Sequence, residues 1–167
     1  MTLTVWPYIK NQGIWTIPDQ VIIGVWDKMC ELDRVKTTWW DASIVTQEDF
    51  IKFMQDPYIF PTIIVDRDEV RFKVFAWLSD FNDGVARAHF CYLDKYDFDV
   101  GKMMVNFWQK LGTLNVIIGT IPESYKAALK FVERLGFEII GTIPDICNMV
   151  YLNRREGGVV SYYLMEE

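Results

Sequence analysis

With 167 residues, of which 51% are hydrophobic, the chain is about one domain long and has enough apolar side chains for a sizeable core. Its formal net charge of −6 disfavours nucleic acid and anionic membranes as partners, because their negative charge repels an acidic protein. Three cysteines and a single histidine exclude a disulfide framework and a usual zinc site, and favour a reducing, cytoplasmic setting.

The N-terminal third is predicted to be mainly helical. A weakly patterned strand near residues 3–8 comes first, and apolar side chains then recur at helical spacing over residues 18–32. Thr46, followed three residues later by Asp49, resembles a capping box and predicts the start of a second helix. The Asp56-Pro57 pair ends that helix, because proline disfavours helical geometry in the residue before it.

The middle of the chain is predicted to form three strands, at residues 61–66, 70–78 and 85–93. Alternation in the second strand places on one face Val70, Phe72, Val74, Ala76 and Leu78. Asp83-Gly84 is a strong signal for a two-residue hairpin turn, and the register then follows by counting from the turn. The expected cross-strand pairs are Phe75–Tyr92, Ala76–Cys91, Trp77–Phe90, Leu78–His89 and Asp80–Arg87.

The last third of the chain alternates helices and strands. Helical apolar stripes cover residues 100–111 and 125–135, and Gly136 ends the second helix as a C-cap. Strands are predicted at residues 115–120, 138–142 and 159–165.

This element order predicts an α/β (α+β) fold with a mixed, mainly antiparallel sheet flanked by helices. The strands at 85–93 and 115–120 should be parallel neighbours joined by the helix between them. The sequence Ile-Ile-Gly-Thr-Ile-Pro at residues 117–122 recurs at 139–144, which we interpret as two neighbouring strands with similar exits. Because no low-complexity linker interrupts the chain, we expect residues 1–167 to form one domain.

The segment from Glu123 to Phe137 carries a family resemblance. It follows a strand ending in Pro122, contains Ala127-Ala128 in a helix, and reads Glu-Arg-Leu-Gly-Phe at residues 133–137. A helix that ends in this way, followed by a strand and a glycine, is typical of the GNAT superfamily of N-acetyltransferases. Together with the element order, the chain resembles a diverged member of that superfamily, of the kind found in phage and other mobile genomes. The resemblance implies an acyl-CoA-dependent N-acyltransferase acting on an unidentified amine.

The resemblance also implies positions for the cosubstrate, acetyl-CoA or another acyl-CoA. In the family, a strand end pairs with the pantetheine arm, and the start of the following helix holds the pyrophosphate. In this sequence the implied residues are Cys91, Tyr92 and Leu93 for the arm, Gly101 and Lys102 for the pyrophosphate, and Tyr125 and Ala128 for the cleft wall.

Departures from the family pattern keep an alternative function open. Members usually hold the pyrophosphate in a glycine-rich loop, whereas residues 94–102 contain one glycine and three aspartates against two lysines. Asp97 or Asp99 would be a good N-cap for the helix but a poor neighbour for a pyrophosphate. Tyr125 and Val132 stand where the family frequently has an asparagine and a tyrosine. The alternative is a GNAT fold without turnover that serves as a binding or assembly module.

The candidate catalytic and acceptor residues each have a structural alternative. His89 could act as a base near neutral pH or be a packed strand residue, and Tyr162 could replace the missing acid or belong to the core. Trp39, Trp40 and Asp41 lie between the first two predicted helices. They could hold an amine acceptor through cation–π contacts and charge, or close off the sheet as a hydrophobic plug.

Other classes of site and partner receive little support from the sequence. Cys91 could be a nucleophile, but no second histidine is present to activate it, which favours a small buried strand residue. The longest apolar stretches are well short of the roughly 18–20 residues that cross a membrane, so no membrane association is expected. No metal is implied, and a homodimer is left open.

Overall fold

A computed structural model describes residues 2–95 and 97–165 of the chain. The helices are α1 (Asp19–Glu31), α2 (Val35–Thr38), α3 (Gln47–Met54), α4 (Phe98–Gln109) and α5 (Lys126–Arg134). The strands are β1 (Leu3–Pro7), β2 (Lys10–Asn11), β3 (Ile14–Trp15), β4 (Phe60–Asp66), β5 (Arg71–Asn82), β6 (Val85–Tyr92), β7 (Val116–Pro122), β8 (Glu138–Met149) and β9 (Arg154–Leu164). The sequence prediction omits the short elements β2, β3 and α2, and the order of the others is as predicted.

The main sheet has seven strands in the order β1-β4-β5-β6-β7-β9-β8. Among the described strands, β6 and β7 form the parallel pair, joined through α4, and the other neighbours in this sheet are antiparallel. The predicted mixed, mainly antiparallel sheet and its parallel crossover are therefore confirmed. The repeated hexapeptide lies in β7 and β8, but these strands are not neighbours as predicted, because β9 pairs between them.

Each face of the sheet is covered by its own helices and its own hydrophobic cluster. On one face, α4 and α5 pack over Val74, Ala76 and Leu78 of β5. On the other face, α1 and α3 pack over Phe75 and Trp77. The strand alternation is thus as predicted for residues 74–78.

The prediction for the first part of β5 is wrong. Phe72 packs with the cluster that contains Phe75, and Val70 is exposed and precedes the strand. The cause is an irregularity in the pairing of β4 with β5, where Ile64 faces Val74 and Val65 faces Phe72. One extra residue in β5 changes the face of every side chain before it.

The hairpin between β5 and β6 has the predicted turn but not the predicted register. Asp83 and Gly84 have φ angles of +46° and +77°, as a type I′ turn requires, and Asn82 pairs with Val85. A bulge follows, in which Asp80 has a φ of +53° and one extra residue of β5 is accommodated. All pairs beyond it are shifted by one residue, giving Phe75–Cys91, Ala76–Phe90, Trp77–His89, Leu78–Ala88 and Ser79–Arg87.

The predicted helix ends are confirmed by their local geometry. The Thr46 hydroxyl accepts a hydrogen bond from the Asp49 amide at 3.1 Å, and the Asp49 carboxylate accepts one from the Thr46 amide. Gly136, just after α5, has a φ of +96°. None of the described helices has the length and apolar character to cross a membrane.

The last hairpin is longer than predicted. Strand β8 continues to Met149 and β9 begins at Arg154, although the sequence suggests a loop between residues 143 and 158. Pro144-Asp145 resembles a strand break in the sequence. In the structure, a register irregularity between Ile143 and Cys147 accommodates these two residues, so pairing resumes beyond them.

Candidate functional site

A cavity of about 470 Å³ opens between the two parallel strands of the sheet. The strands β6 and β7 pair over Val85–Arg87 and Val116–Ile118, and beyond these residues they separate. The parts of β6 and β7 beyond the paired residues line the cavity, together with residues 124–128 at the start of α5. The α2 region contributes Arg34, Thr37, Thr38 and Trp40. The cleft therefore lies where these two parallel strands separate.

The main chain of β6 faces this cleft at alternate residues. The Leu93 amide donates to the Lys73 carbonyl at 2.9 Å, and the same register pairs Cys91 with Phe75. Because bonded partners alternate along an antiparallel pair, the main-chain groups of Ala88 and Phe90 point away from β5 and toward the cleft. A strand with that orientation presents hydrogen-bonding groups to an extended ligand.

The start of α4 is closed by side chains of the protein itself. The Asp97 carboxylate accepts hydrogen bonds from the Asp99 and Val100 amides at 3.0 and 3.4 Å, which confirms the predicted N-cap. The Tyr92 hydroxyl donates to the Asp97 carbonyl at 2.9 Å. The amides that a pyrophosphate would use at this helix start are therefore already engaged by a carboxylate.

Three of the residues predicted to contact a cosubstrate lie outside the cleft. Gly101 faces the ring of Phe131 and the hydroxyl of Tyr92. A Cβ at this position would lie 2.7 Å from the Tyr92 oxygen, so a glycine is needed here for packing. Lys102 lines a separate groove on the outer side of α4. Leu93 is buried in the cluster beneath α1 and α3. Placement does not support the predicted contacts for Gly101, Lys102 and Leu93.

The remaining predicted cosubstrate residues do line the cleft. They are Cys91 and Tyr92 on β6 and Tyr125 and Ala128 at the start of α5. Burial raises the pKa of Tyr125, and the nearby carboxylate of Glu156 adds to the effect. Tyr125 therefore keeps its phenol proton at neutral pH.

His89 lines the cleft as a packed, neutral imidazole. Its ring stacks on Trp77 with centroids 4.6 Å apart, and its Nε2 lies 3.2 Å from the Ser79 hydroxyl. Burial, assisted by the positive charge of Arg87, lowers the pKa of His89 to about 4. The packed interpretation is therefore supported, although the partner is Trp77 rather than the predicted Leu78.

Cys91 is unsuited to nucleophilic chemistry. Burial raises the pKa of its thiol to about 11, while a hydrogen bond with Thr38 and the charge of Arg34 offset this only in part. The thiolate, which is the reactive form, is therefore scarce at neutral pH. Within the described ranges, no three His, Cys, Asp or Glu side chains converge in a way that could hold a metal ion.

The predicted acceptor-binding trio is divided between the core, the cleft and the surface. Trp39 is 4% exposed and stacks on Trp77 with centroids 5.4 Å apart, so it closes the sheet as a hydrophobic plug. Trp40 lines the cleft. Asp41 is exposed and accepts a hydrogen bond from the Ser43 hydroxyl at 2.8 Å. Only Trp40 of the three is placed to meet a ligand in the cleft.

Neither tyrosine of the last strand lines the cleft. Tyr162 donates a hydrogen bond to the Glu138 carboxylate, which raises the pKa of the phenol. Tyr163 packs against Phe137, with ring centroids 5.3 Å apart. Placement therefore does not support Tyr162 as the acid, whereas Tyr92 and Tyr125 both line the cleft.

The polar residues of the cleft that sequence reasoning misses include Arg34, Ser124 and Lys126. Ser124 and Lys126 lie within the three residues before the Ala127-Ala128 segment, so that segment could have indicated them. The Ser124 hydroxyl donates to the buried Glu156 carboxylate at 2.6 Å. Arg34 has no comparable sequence signal, because only the tertiary fold brings the α1–α2 connection to the end of β6.

Known proteins resemble the chain in structure but not detectably in sequence. No protein-family model matches the chain, and no curated protein matches it by sequence. A spermidine N-acetyltransferase from Vibrio cholerae, solved in complex with CoA and spermine, is similar with a TM-score of 0.76 and 11% identity, over 98% of this chain and 95% of that one.

Two further solved structures agree with this likeness. The ribosomal-protein-S5-alanine acetyltransferase from Vibrio fischeri has a TM-score of 0.73 at 12% identity, over 99% of this chain and 94% of that one. A GNAT-family acetyltransferase from Bacillus anthracis has a TM-score of 0.62 at 16% identity, over 80% and 82% of the two chains. With its sheet order, its α4 crossover and its cleft between separated strands, the chain has the fold of the GNAT N-acetyltransferases.

Proposed function

We propose that the protein is an acyl-CoA-dependent N-acyltransferase. The observation that carries this proposal is the cleft between β6 and β7, toward which the main chain of β6 points at Ala88 and Phe90. A pantetheine arm is extended and contains two amides, so it can pair with such a strand edge much as another strand would. The spermidine N-acetyltransferase with the same fold was solved with CoA, which supports this class of cosubstrate.

The chemistry required of the chain's own residues is modest. An acyl-CoA supplies the acyl group as a thioester. The amine nitrogen forms a bond to the acyl carbon as the carbon–sulfur bond breaks, the amine gives up a proton, and the departing sulfur takes one. Tyr125, a protonated phenol on the cleft wall, is the proposed proton donor. His89, with a pKa of about 4, is a weak base, so we assign the amine's proton to water.

One observation favours a second candidate, a binding or assembly module without turnover. Asp97 occupies the amides at the start of α4, and its charge opposes that of a pyrophosphate. At about 4 Å and an effective dielectric near 20, one carboxylate opposes an anion by about 4 kcal/mol before relaxation and screening. A helix terminus contributes only about 0.3–1 kcal/mol in the opposite direction. This candidate predicts little affinity for acyl-CoA. Whether the protein forms a homodimer is a separate prediction that does not depend on which function is correct.

Changing Asp97 and Asp99 together to asparagine is expected to tighten acetyl-CoA binding by about tenfold to a hundredfold, as relaxation and salt reduce the full repulsion. Asparagine retains N-capping ability, so α4 should remain intact. Calorimetric titration at low and moderate salt measures the change. The control is Asp83→Asn, which removes a carboxylate at the opposite end of β6. Equal affinity of the native and doubly changed proteins would show that these carboxylates are remote from the phosphates.

Filling the cleft tests the proposed function itself. Ala128→Phe places a ring in the cavity wall and is expected to abolish both acetyl-CoA binding and acetyl transfer to amines, measured by calorimetry and mass spectrometry. Lys130→Phe adds the same ring on the exposed side of α5 and should leave both unchanged. Binding of acetyl-CoA without transfer to any amine would favour the module. Absence of binding in the native protein and in the Asp97 and Asp99 variant would exclude the acyltransferase.

A further inference from the structure

The cleft has a charge opposite to that of the protein. Over the chain, Asp and Glu outnumber Lys and Arg by 23 to 17. The described residues that line the cleft include two cations, Arg34 and Lys126, and no carboxylate. A cavity that collects positive charge in an acidic protein favours an anionic group in its ligand.

Arg34 is held at the α2 end of the cleft by its main chain. Its amide donates to the Met29 carbonyl at 2.8 Å, and its carbonyl accepts from the Thr38 amide at 2.9 Å. Its side chain lines the cleft and lies close enough to Cys91 for its charge to act on that thiol. The guanidinium therefore reaches the end of β6 without depending on a side-chain partner to position it.

No described part of the chain neutralises Arg34. Its Nε is buried and has no hydrogen-bond partner among residues 2–95 and 97–165, and none of the described carboxylates forms an ion pair with it. Two carboxylates beside other cleft residues, Glu156 near Tyr125 and Asp41 near His89, have partners of their own: Glu156 accepts from Ser124 and Arg154, and Asp41 accepts from Ser43. The charge of the guanidinium is thus left without a carboxylate of the described chain to balance it, which favours an anionic group in the ligand that meets Arg34 in the cleft.

We propose that the acceptor amine carries a carboxylate and that Arg34 binds it. The inference rests on the proposed acyl transfer and assigns its substrate class, amines of the amino-acid type. A guanidinium is suited to this role because its planar fork can hold both oxygens of a carboxylate. A polyamine is disfavoured, because its several positive charges would meet Arg34 and Lys126 with no carboxylate in the cavity wall. The acceptor class would thus differ from the spermine bound to the Vibrio cholerae enzyme.

The test compares amines that differ only by a carboxylate, namely lysine with cadaverine and tyrosine with tyramine. With acetyl-CoA as donor, the carboxylate-bearing member of each pair is expected to have a kcat/KM at least about tenfold higher. Arg34→Gln should remove this preference mainly by raising KM, and Arg34→Lys, which keeps the charge but not the fork, should retain part of it. Lys36→Gln, an exposed charge on α2, is the matched control and should leave the preference unchanged.

A binding measurement separates this inference from the proposed function. Calorimetric titration of the same amines, with CoA present, should show tighter binding of lysine and tyrosine in the native protein and equal binding in Arg34→Gln. Acetyl transfer without a carboxylate preference would overturn the inference and leave the acyltransferase standing. Arg34-dependent binding without transfer would show a carboxylate site at Arg34, but it would overturn both the acyltransferase and the assignment of the bound amine as its acceptor. Failure of both members of each pair to bind, or a preference unchanged by Arg34→Gln, would also overturn it.

Discussion

Replacing Trp39 by alanine is expected to lower the free energy of unfolding by about 3–5 kcal/mol, the usual cost of removing a buried tryptophan. Its side chain is 4% exposed, and it stacks on Trp77 with centroids 5.4 Å apart. It also contacts Phe50 edge-on at 5.6 Å, which joins α3 to the sheet. Urea unfolding monitored by circular dichroism measures the loss, and Trp39→Phe should recover part of it.

Trp40→Ala is the matched control for this prediction. Trp40 is half-buried and lines the cleft, so its removal should cost much less stability and should act chiefly on ligand binding. Unchanged stability in Trp39→Ala, together with altered acceptor kinetics, would show that Trp39 is a binding residue and that the plug interpretation is wrong.

Lowering the pH from 6.5 to 4 is expected to remove about 2–3 kcal/mol of stability that His89 contributes. Its pKa in the folded protein is about 4, against 6.5 for the free side chain. Between these values the unfolded chain binds a proton that the folded protein does not, so stability rises with pH over this window and is fully present above it. Partial exposure to the cleft keeps the amplitude below the full conversion of the shift.

His89→Phe isolates this contribution. A phenyl ring can keep the stack on Trp77 but cannot titrate, so the variant's stability should change less between pH 4 and 6.5 than that of the native protein. Urea unfolding across this pH range gives both curves. Because His89 is the only histidine, its imidazole NMR signal also gives the pKa directly. Parallel stability curves, or a measured pKa near 6.5, would contradict a buried neutral imidazole.

The fold could be read from the sequence because local signals and global order agree. The Asp83-Gly84 turn, the Thr46 capping box and the Gly136 C-cap each depend on neighbouring residues alone, and each is confirmed. The register of the hairpin is wrong because a bulge at Asp80 adds one residue, and an aspartate at positive φ leaves no distinctive pattern in the sequence. A bulge is a feature of backbone geometry, so the periodicity of hydrophobic residues does not reveal it.

The site was harder to predict, because its residues meet only through tertiary packing. The position of the cleft follows from topology, since parallel strands that separate leave a gap. The identity of the lining residues does not follow from topology. Trp39 and Trp40 are adjacent in sequence, yet Trp39 is in the core and Trp40 lines the cleft. Arg34 has no sequence signal, because its position at the cleft depends on the α2 region packing beside the end of β6. Asp97 is the exception, since its capping role can be read from the local sequence.

A crystal structure of the protein grown with saturating acetyl-CoA tests the central claim most directly. We expect the pantetheine arm to lie between β6 and β7, with its amides hydrogen-bonded to the main chain of β6 and its thioester beside Tyr125. The Asp97 and Asp99 variant, crystallised in the same way, should show the same arm at higher occupancy. Density for acetyl-CoA at another surface, or a cleft without the arm in both proteins at saturation, would contradict the assignment of this cleft to acyl transfer.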